Sequence, residues 1–243
     1  MDLRGRVALV TGAGRRLGLA IARGLAGRGM TMALHHHHSS AGAEQLRAEL
    51  ETAGGRAERF PADLSDPSQA LELPRAVVAR FGRLDVLVNS AGVMRRLSIE
   101  ETTPADWDAI MNLNLRAGFF CAQAAAPALR AARGKIVNLA DVGGMEPWPW
   151  YAAYCISKAG VLMLTKLLAR ALAPEVTVNG VAPGAVLLPE DWDAAAREHL
   201  RSTTPLRRLG DPSDVVNAVL YLLEGGDYLT GQTIVVDGGR LVR

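Results

Sequence analysis

The sequence predicts an α/β fold in which helices cover both faces of one doubly wound parallel sheet, giving three α/β/α layers. Short β-rich apolar runs alternate with longer segments of helical period, and proline and glycine fall at the ends of these elements. Parallel strands need crossover connections, and each helical segment is long enough to supply one. No repeat, linker or change of composition divides the 243 residues, so we expect a single domain.

Each element follows from its own pattern. The predicted strands are runs too short for a helix and rich in Val, Ile and Leu: Val7–Val10, Thr31–Leu34, Leu84–Val88, Lys135–Leu139, Val176–Val181 and Thr233–Val236. The predicted helices have apolar residues at helical spacing: Leu17–Arg28, Ala43–Ala53, Pro67–Phe81, Trp107–Arg130, Ala153–Leu172 and Ser213–Leu223. A third strand, without assigned bounds, is expected just before Asp63. Ligands of such folds bind at the carboxyl ends of the strands, so the loops there hold the candidate functional residues.

The composition excludes several classes of protein. With 49% hydrophobic and 21% charged residues the chain can build a compact core, and its formal net charge of +2 gives no electrostatic case for binding nucleic acid or a membrane surface. We therefore expect a small-molecule substrate. Cys121 and Cys155 match no zinc or redox spacing, so no metal site is expected. The charged N-terminus does not resemble an export signal and no apolar stretch reaches membrane-spanning length, so we expect a cytoplasmic protein.

A glycine-containing turn follows the first predicted strand. Residues 11–18 read TGAGRRLG and lead directly into an amphipathic helix. Glycine lets the backbone approach a pyrophosphate, which then lies on the exposed N–H groups and the positive end of the helix dipole. The candidate cofactor-binding residues of this turn are Gly12, Arg15, Arg16, Leu17 and Gly18. An ordinary tight turn is the alternative.

The segment after the second strand favours one cofactor over another. Dinucleotide folds that prefer NAD place a carboxylate there for the adenosine ribose, whereas this chain reads LHHHHSS and has no acid. Histidines, a serine hydroxyl and the arginines of the glycine turn could hold a 2′-phosphate by charge-assisted hydrogen bonds. The candidates are His36, His37, His38 and Ser39. We expect NADPH, with NADH the poorer cofactor; a polar surface turn and a metal-binding histidine run are the alternatives.

Two further strand ends add candidates for the cofactor site. Asp63, followed by Leu64, could accept a hydrogen bond from the adenine amino group, or it could cap the next helix. The segment NSAG ends the fourth strand, and its Asn89, Ala91 and Gly92 are small enough to let a cofactor approach the backbone. A plain turn would explain this segment as well.

Tyr154 and Lys158 are candidates for the chemistry because they lie four residues apart in a segment of helical period and so share one helical face. A tyrosine with its ordinary pKa of about 10 is a poor acid–base catalyst near neutral pH. An adjacent ammonium group and a cationic nicotinamide would favour the phenolate. The spacing therefore predicts that Lys158 lowers the pKa of Tyr154.

The order of these motifs resembles the short-chain dehydrogenase/reductase family along the whole chain. The matching pieces are TGAGRRLG, Asp63-Leu64, NSAG, NLNL around Asn114, IVNLAD ending at Asp141, Tyr154-x-x-x-Lys158, Pro183-Gly184 and TGQTIVVDGG. The resemblance implies a Rossmann fold with Tyr154 as proton donor, Lys158 on the nicotinamide ribose and Asn114 in a water relay, while the cofactor supplies hydride. It also implies cofactor contacts at Pro183 and Gly184, and a homotetramer.

Three departures from the common family pattern resemble its pteridine reductase branch. Asp141 stands where the family has serine, Arg16 replaces the middle glycine of the turn, and LHHHHSS follows the second strand. The branch implies a dihydropterin-like substrate whose polar edge meets Asp141, Arg16 and Tyr154. Asp141 could instead simply cap the turn after the fifth strand. Because an ionised Asp141 would raise the pKa of Tyr154, we expect Asp141 to share a proton with its neighbours or with the substrate.

Other substrate-side candidates depart from that branch. Met94 stands where the branch places a phenylalanine, and it could pack on a flat ring or belong to the core. Trp148, Trp150 and Tyr151 could form an aromatic platform for the substrate or a subunit contact. Residues 187–204 are expected to form a substrate lid, with an ordinary surface helix as the alternative.

Three functions follow from these patterns. The first is an NADPH-dependent reductase of a dihydropterin-like substrate. The second is a reductase of ketones, including 3-oxoacyl thioesters, or an alcohol dehydrogenase of the same family. The third is a non-catalytic dinucleotide-sensing protein that keeps the fold and not the chemistry. The presence of Asn114, Tyr154 and Lys158 together argues against the third.

Overall fold

The computed structural model describes residues 1–188 and 192–242, and within them seven parallel strands form one sheet in the order β3-β2-β1-β4-β5-β6-β7. The strands are β1 (Val7–Val10), β2 (Thr31–His36), β3 (Ala57–Pro61), β4 (Val86–Asn89), β5 (Lys135–Leu139), β6 (Thr177–Pro183) and β7 (Thr233–Val236). The strand order reverses between β1 and β4, where Leu9 is paired with Ala33 on one side and with Leu87 on the other. This is the doubly wound architecture that the sequence predicts.

Helices pack on both faces of the sheet. They are α1 (Arg16–Ala26), α2 (Ser40–Thr52), α3 (Pro67–Phe81), α4 (Pro104–Met111), α5 (Ala117–Ala132), α6 (Ala152–Leu172), α7 (Ala194–Thr203) and α8 (Pro212–Glu224). A π-helical turn at Asn112–Arg116 joins α4 to α5, and short 3₁₀ turns lie at Val142–Gly144 and Arg240–Val242.

Two hydrophobic layers hold the sheet, one on each face. Alternate side chains of β1 point to opposite faces: Ala8 and Val10 pack with α1, α2 and α8, whereas Val7 and Leu9 pack with α3, α5 and α6. Strands buried on both faces read as continuous apolar runs, which is why β1 and β5 have the predicted bounds. Burial of one leucine contributes roughly 1.5–3 kcal/mol, so the many buried leucines of these layers fix the loops at the strand ends.

β2, β4 and β6 differ from the sequence prediction in their bounds, and two further elements differ more deeply. β3 is an edge strand with the sequence AERFP, in which only Ala57 and Phe60 are buried, so it has no continuous apolar run that would predict it. The single helix expected over Trp107–Arg130 is divided into α4, the π-helical turn and α5. The extra residue of a π turn shifts the helical face, which a simple 3.6-residue periodicity does not show.

The prediction that no apolar segment reaches membrane-spanning length was wrong. Helix α6 has 21 residues and is apolar enough to cross a membrane by length and composition, and it is the one helix of the described residues that meets this criterion. Half of its most apolar window is buried inside the protein. Because α6 packs on the sheet and carries Lys158 on its buried face, we interpret it as a core helix.

Candidate active site

A cavity of about 1040 Å³ opens at the carboxyl ends of the strands, where the strand order reverses. This is the place where open α/β sheets bind their ligands. The glycine turn after β1 forms one wall of the cavity and the buried face of α6 forms another. The candidate cofactor-binding residues of the glycine turn and the candidate catalytic residues of α6 therefore line the same cavity.

The glycine turn fits a pyrophosphate. Gly12 has φ +70°, a conformation that residues other than glycine rarely adopt, and a Cβ placed there would lie 3.1 Å from the Cα of Ala91. Helix α1 then begins at Arg16, so its first N–H groups face the cavity. Gly12, Arg15, Arg16, Leu17 and Gly18 all line this wall.

Arg16 occupies a position suited to glycine. Its φ of 51° lies in the left-handed region, which costs a side-chain-bearing residue about 1–2 kcal/mol. Its guanidinium Nη2 donates a hydrogen bond of 2.5 Å to the carbonyl oxygen of Leu187 and so crosses the cavity mouth to the segment after β6. The arginine therefore has a contact that a glycine could not make.

The histidine run divides between the cavity and the core. His37, His38 and Ser39 line the cavity, with the Nδ1 of His37 3.8 Å from the Oδ1 of Asp63. His36 does not line it, contrary to expectation, because its side chain is buried and its Nδ1 lies 3.4 Å from the carbonyl oxygen of His37. The described residues hold no cluster of three His, Cys, Asp or Glu arranged for a metal ion.

His35 lines the cavity although the sequence did not single it out. Alternation of side chains along β2 was the signal that could have found it, because residues two apart in an extended segment share a face and His37 was already a candidate.

Candidate cofactor-binding residues also follow β3 and β4, and not all of them line the cavity. Asp63 and Leu64 line the cavity, and hydrogen bonds from the Ser65 hydroxyl and N–H lower the pKa of Asp63. Asp63 is not the cap of α3, because Asp66 accepts from the first turn of that helix. Ala91 and Gly92 line the cavity, whereas Asn89 turns away from it.

The side chain of Asn89 is part of the internal packing. Its Nδ2 donates to the Oδ1 of Asn138 at 2.9 Å and reaches toward α5, which explains why this predicted cofactor residue does not face the cavity. At the end of β6, Pro183 and Gly184 also line the cavity. The family resemblance predicts cofactor contacts at these two residues.

Asn114 lies in the π-helical turn with its side chain buried behind the cavity wall. Its Oδ1 accepts from the Val93 N–H at 2.8 Å, and its Nδ2 donates to the Val93 carbonyl oxygen and to the Ser157 hydroxyl. The side chain therefore joins the segment after β4 to α6, one residue before Lys158. Its amide is used for this link and does not line the cavity.

Tyr154 and Lys158 both face the cavity from α6. The Nζ of Lys158 lies 5.8 Å from the centre of the Tyr154 ring and donates to the carbonyl oxygen of Leu139 at 2.8 Å. The hydroxyl of Tyr154 donates to the Oδ2 of Asp141 at 2.8 Å. The other oxygen of Asp141 accepts from the Gly143 N–H, so Asp141 both caps the turn after β5 and contacts the tyrosine.

The electrostatics of this group correct one prediction. The pKa of Tyr154 is raised, first by burial and then by the charge and hydrogen bond of Asp141, so the expected lowering by Lys158 does not occur in this arrangement. Burial also raises the pKa of Asp141 and lowers the pKa of Lys158. Each of the three shifts works against the charged form of its side chain.

Aromatic and apolar side chains line the substrate side. Trp148 is nearly parallel to Tyr154, with an interplanar angle of 13° and 6.4 Å between ring centres. Met94 is 41% exposed in the cavity, so it is not a core residue. Tyr151 lines the cavity as well, whereas Trp150 packs under the guanidinium of Arg96.

The expected lid is described only in part. Residues 189–191 of the segment 187–204 lie outside the described residues. On either side of them, Leu187, Leu188 and Trp192 line the cavity, and the segment continues into α7, whose Leu200 also faces it.

The fold and the site together define an NAD(P)-dependent oxidoreductase: a doubly wound sheet, a glycine turn at a helix N-terminus, and a tyrosine and a lysine facing the same cavity. A family model described as enoyl-(acyl carrier protein) reductase matches residues 12–240. The chain belongs to the short-chain dehydrogenase/reductase family.

Similar proteins cover the full length of the chain. A 3-oxoacyl-(acyl-carrier-protein) reductase of Synechocystis is 37% identical over 99% of this chain and 98% of its own. The protein of the same name from Staphylococcus aureus is 38% identical over 96% of both chains. Among solved structures, a blue fluorescent protein from a metagenomic library, in complex with NADPH, has a TM-score of 0.92, 33% identity and 99% coverage of both chains. The resemblance to the family as a whole is thereby confirmed, whereas these relatives do not support the pteridine reductase branch in particular.

Proposed function

We propose that this protein is an NADPH-dependent reductase of carbonyl groups, with 3-oxoacyl thioesters and related ketones as its first substrate class. The observation that carries the proposal is that Tyr154 and Lys158 face the same cavity as the glycine turn. The names of the full-length relatives support the substrate class. A dinucleotide-sensing role without catalysis would give no reason for this placement of a phenol and an ammonium group.

The surroundings of the ribose position support NADPH over NADH. No acid immediately follows β2 in the sequence; His37, His38 and Ser39 there line the same cavity as Arg15 of the glycine turn. Helix α2 begins next to them, and its positive end favours an anion such as the 2′-phosphate. We expect NADPH to bind more tightly than NADH in a direct titration, and tighter binding of NADH would refute this preference.

The proposed mechanism assigns one task to each side chain. When bound, the nicotinamide would supply hydride to the substrate. The Oη of Tyr154 is the proton donor to the substrate oxygen, because the raised pKa keeps it protonated at neutral pH. The positive charge of Lys158 offsets the negative charge that Oη gains as the proton leaves. Asp141, which accepts a hydrogen bond from Oη and whose pKa is raised by burial, is placed to exchange a proton with Oη.

A dihydropterin-like compound is the second candidate substrate, and Asp141 is the observation that favours it. A ketone oxygen only accepts hydrogen bonds, so it offers no donor to the carboxyl oxygens of Asp141. A pterin edge carries N–H groups that could donate to Asp141, while Arg16 and Trp148 line the space around it. The flat ring could lie against Trp148 or Met94.

We also propose that the protein acts in the cytoplasm as a homotetramer. Two apolar surfaces support this assembly. The first lies on α5 and α6 and consists of Phe119, Ile156, Met163 and Leu167; the second lies on α8 and the C-terminal segment and consists of Tyr221, Tyr228, Val235 and Val242. Two different self-complementary surfaces are what a closed tetramer requires. Light scattering of the purified protein tests this, and a monomer would refute it.

A substrate panel tests the activity. The purified protein is incubated with NADPH or NADH and with a 3-oxoacyl thioester, a simple ketone, a dihydropterin or a quinonoid pterin, and cofactor oxidation is followed by absorbance. We expect NADPH oxidation with the thioester at the highest kcat/KM. A higher kcat/KM for a pterin would establish the second candidate instead, and nucleotide binding without turnover of any substrate would favour the sensing role.

A further inference from the structure

His35 connects the ends of three strands beneath the glycine turn. Its side chain is only 3% exposed. The N–H of Gly12, after β1, donates to its Nδ1 at 2.9 Å, and its Nε2 lies 3.1 Å from the carbonyl oxygen of Ala62, after β3. Its own carbonyl oxygen accepts from the Ala13 N–H at 2.8 Å.

These partners fix the state of the imidazole ring. A backbone N–H can only donate, so Nδ1 must be an acceptor; a carbonyl oxygen can only accept, so Nε2 must carry the proton. The ring is therefore neutral and in one tautomer, with both nitrogens occupied. Burial lowers the pKa of His35 to about 4, which agrees with this assignment.

We infer that His35 is a positioning residue of the cofactor site, holding the turn at Gly12 in the conformation that presents the N-terminus of α1 to a dinucleotide. The inference rests on the proposed NADPH binding and adds to it. The turn contains two glycines, Gly12 and Gly14, and a free chain of this kind would lose much conformational entropy on binding. A hydrogen bond already made in the free protein removes part of that loss, which is how preorganisation raises affinity.

Three variants test the inference in the full-length protein. His35→Ala leaves the Gly12 N–H without its partner, and we expect the Kd for NADPH to rise about tenfold, which is about 1.4 kcal/mol. His35→Asn keeps an acceptor oxygen near the place of Nδ1 and should restore most of the affinity. His36→Ala is the matched control, because His36 is the next residue of β2, is also buried and does not line the cavity; its Kd should stay within twofold of the wild type.

The measurement is calorimetric titration with NADPH, with circular dichroism to show that each variant is folded. At saturating NADPH, kcat on the best substrate should change less than Kd, because His35 acts through the turn and not on the reacting atoms. If His35→Ala does not fold, His35→Leu, which fills the same space without an acceptor, replaces it.

The outcomes separate this inference from the proposed function. Wild-type affinity in the folded His35→Ala or His35→Leu protein, equal weakening by His36→Ala, or no rescue by His35→Asn would overturn the role of His35 while leaving NADPH binding in place. Failure of the wild-type protein to bind any nicotinamide dinucleotide would overturn the proposed function and this inference with it.

Discussion

Two aspartates at opposite edges of the sheet, the fully buried Asp85 and the half-buried Asp141, have opposite electrostatic environments. Asp85 precedes β4 at the amino edge, and its fully buried carboxylate accepts from the guanidinium groups of Arg6 and Arg83 at 2.6–2.8 Å. Asp141 follows β5 at the carboxyl edge and has a tyrosine hydroxyl and one backbone N–H as its hydrogen-bond donors.

The consequence is a pKa shift of opposite sign. Burial works to raise the pKa of Asp85, but hydrogen bonds from Arg83, the Val7 N–H and Arg6 outweigh it, and the pKa is lowered. For Asp141, burial outweighs the hydrogen bond from the Gly143 N–H, the charge of Lys158 and the hydrogen bond from Tyr154, and the pKa is raised.

The opposite pKa shifts indicate that the charge of Asp85 is structural. A carboxylate that accepts hydrogen bonds from two cations stabilises the fold in its ionised form, whereas a desolvated carboxyl group whose hydrogen-bond donors are neutral is retained at some expense of stability. Such perturbed groups cluster at functional sites. Three variants test whether Asp85 stabilises the fold while Asp141 and its partner Tyr154 serve the reaction.

Removing the hydroxyl partner of Asp141 should have the largest effect. We expect Tyr154→Phe to lower kcat/KM about 10³-fold, because it removes the hydroxyl group proposed to donate the proton to the substrate oxygen. NADPH affinity and the melting temperature should change little, since the ring and its packing against Trp148 remain. Steady-state kinetics, titration with NADPH and thermal unfolding measure these quantities.

Tyr221→Phe is the control for that experiment, because Tyr221 lies on α8 and does not line the cavity, and phenylalanine keeps the apolar ring at the proposed subunit surface. It should retain wild-type kcat/KM. If Tyr154→Phe kept more than a tenth of the wild-type kcat/KM on every substrate that the protein reduces, Tyr154 would not be the proton donor.

The amino edge should respond in stability and not in catalysis. We expect Asp85→Asn to lower the free energy of unfolding by about 2 kcal/mol at pH 7, because Arg6 and Arg83 lose their charged partner while their partial exposure limits the loss. The sign with pH follows from the lowered pKa: the stabilisation is present above the unfolded pKa of about 4 and is lost as the pH falls through the folded pKa.

Urea unfolding of both proteins at pH 7 and at pH 3 measures this difference. The gap between wild type and Asp85→Asn should narrow at pH 3, and kcat/KM of the folded variant at pH 7 should equal that of the wild type. An equal gap at both pH values would show that Asp85 stabilises by shape and not by charge.

The two edges also differ in how far the sequence could predict them. The order of strands, the cavity and the placement of Tyr154, Lys158 and Asp141 follow from periodicity and from the family motifs. The direction of the Tyr154 pKa does not, because it depends on how deeply the hydroxyl is buried and on a hydrogen bond across 13 residues. The sequence analysis did not predict the ion pairs of Asp85: Arg83 lies two residues before it, but its other partner, Arg6, is distant in sequence and meets it only through the pairing of β1 with β4.

The smallest effect, and the one with the opposite sign, is expected for Asp141→Asn. Because the folded pKa of Asp141 is raised, the wild-type protein has its full stability below the unfolded pKa and loses some of it as the pH rises through the folded pKa. The asparagine does not titrate, so at pH 8 the variant should be more stable than the wild type by about 1 kcal/mol, and at pH 5 the difference should shrink. Urea unfolding at the two pH values measures it, and the pH dependence of kcat/KM should lose the limb that Asp141 contributes. A variant that is destabilised at pH 8 as much as Asp85→Asn is at pH 7 would mean that Asp141 is an ionised structural anion, and the contrast between the two edges would then be wrong.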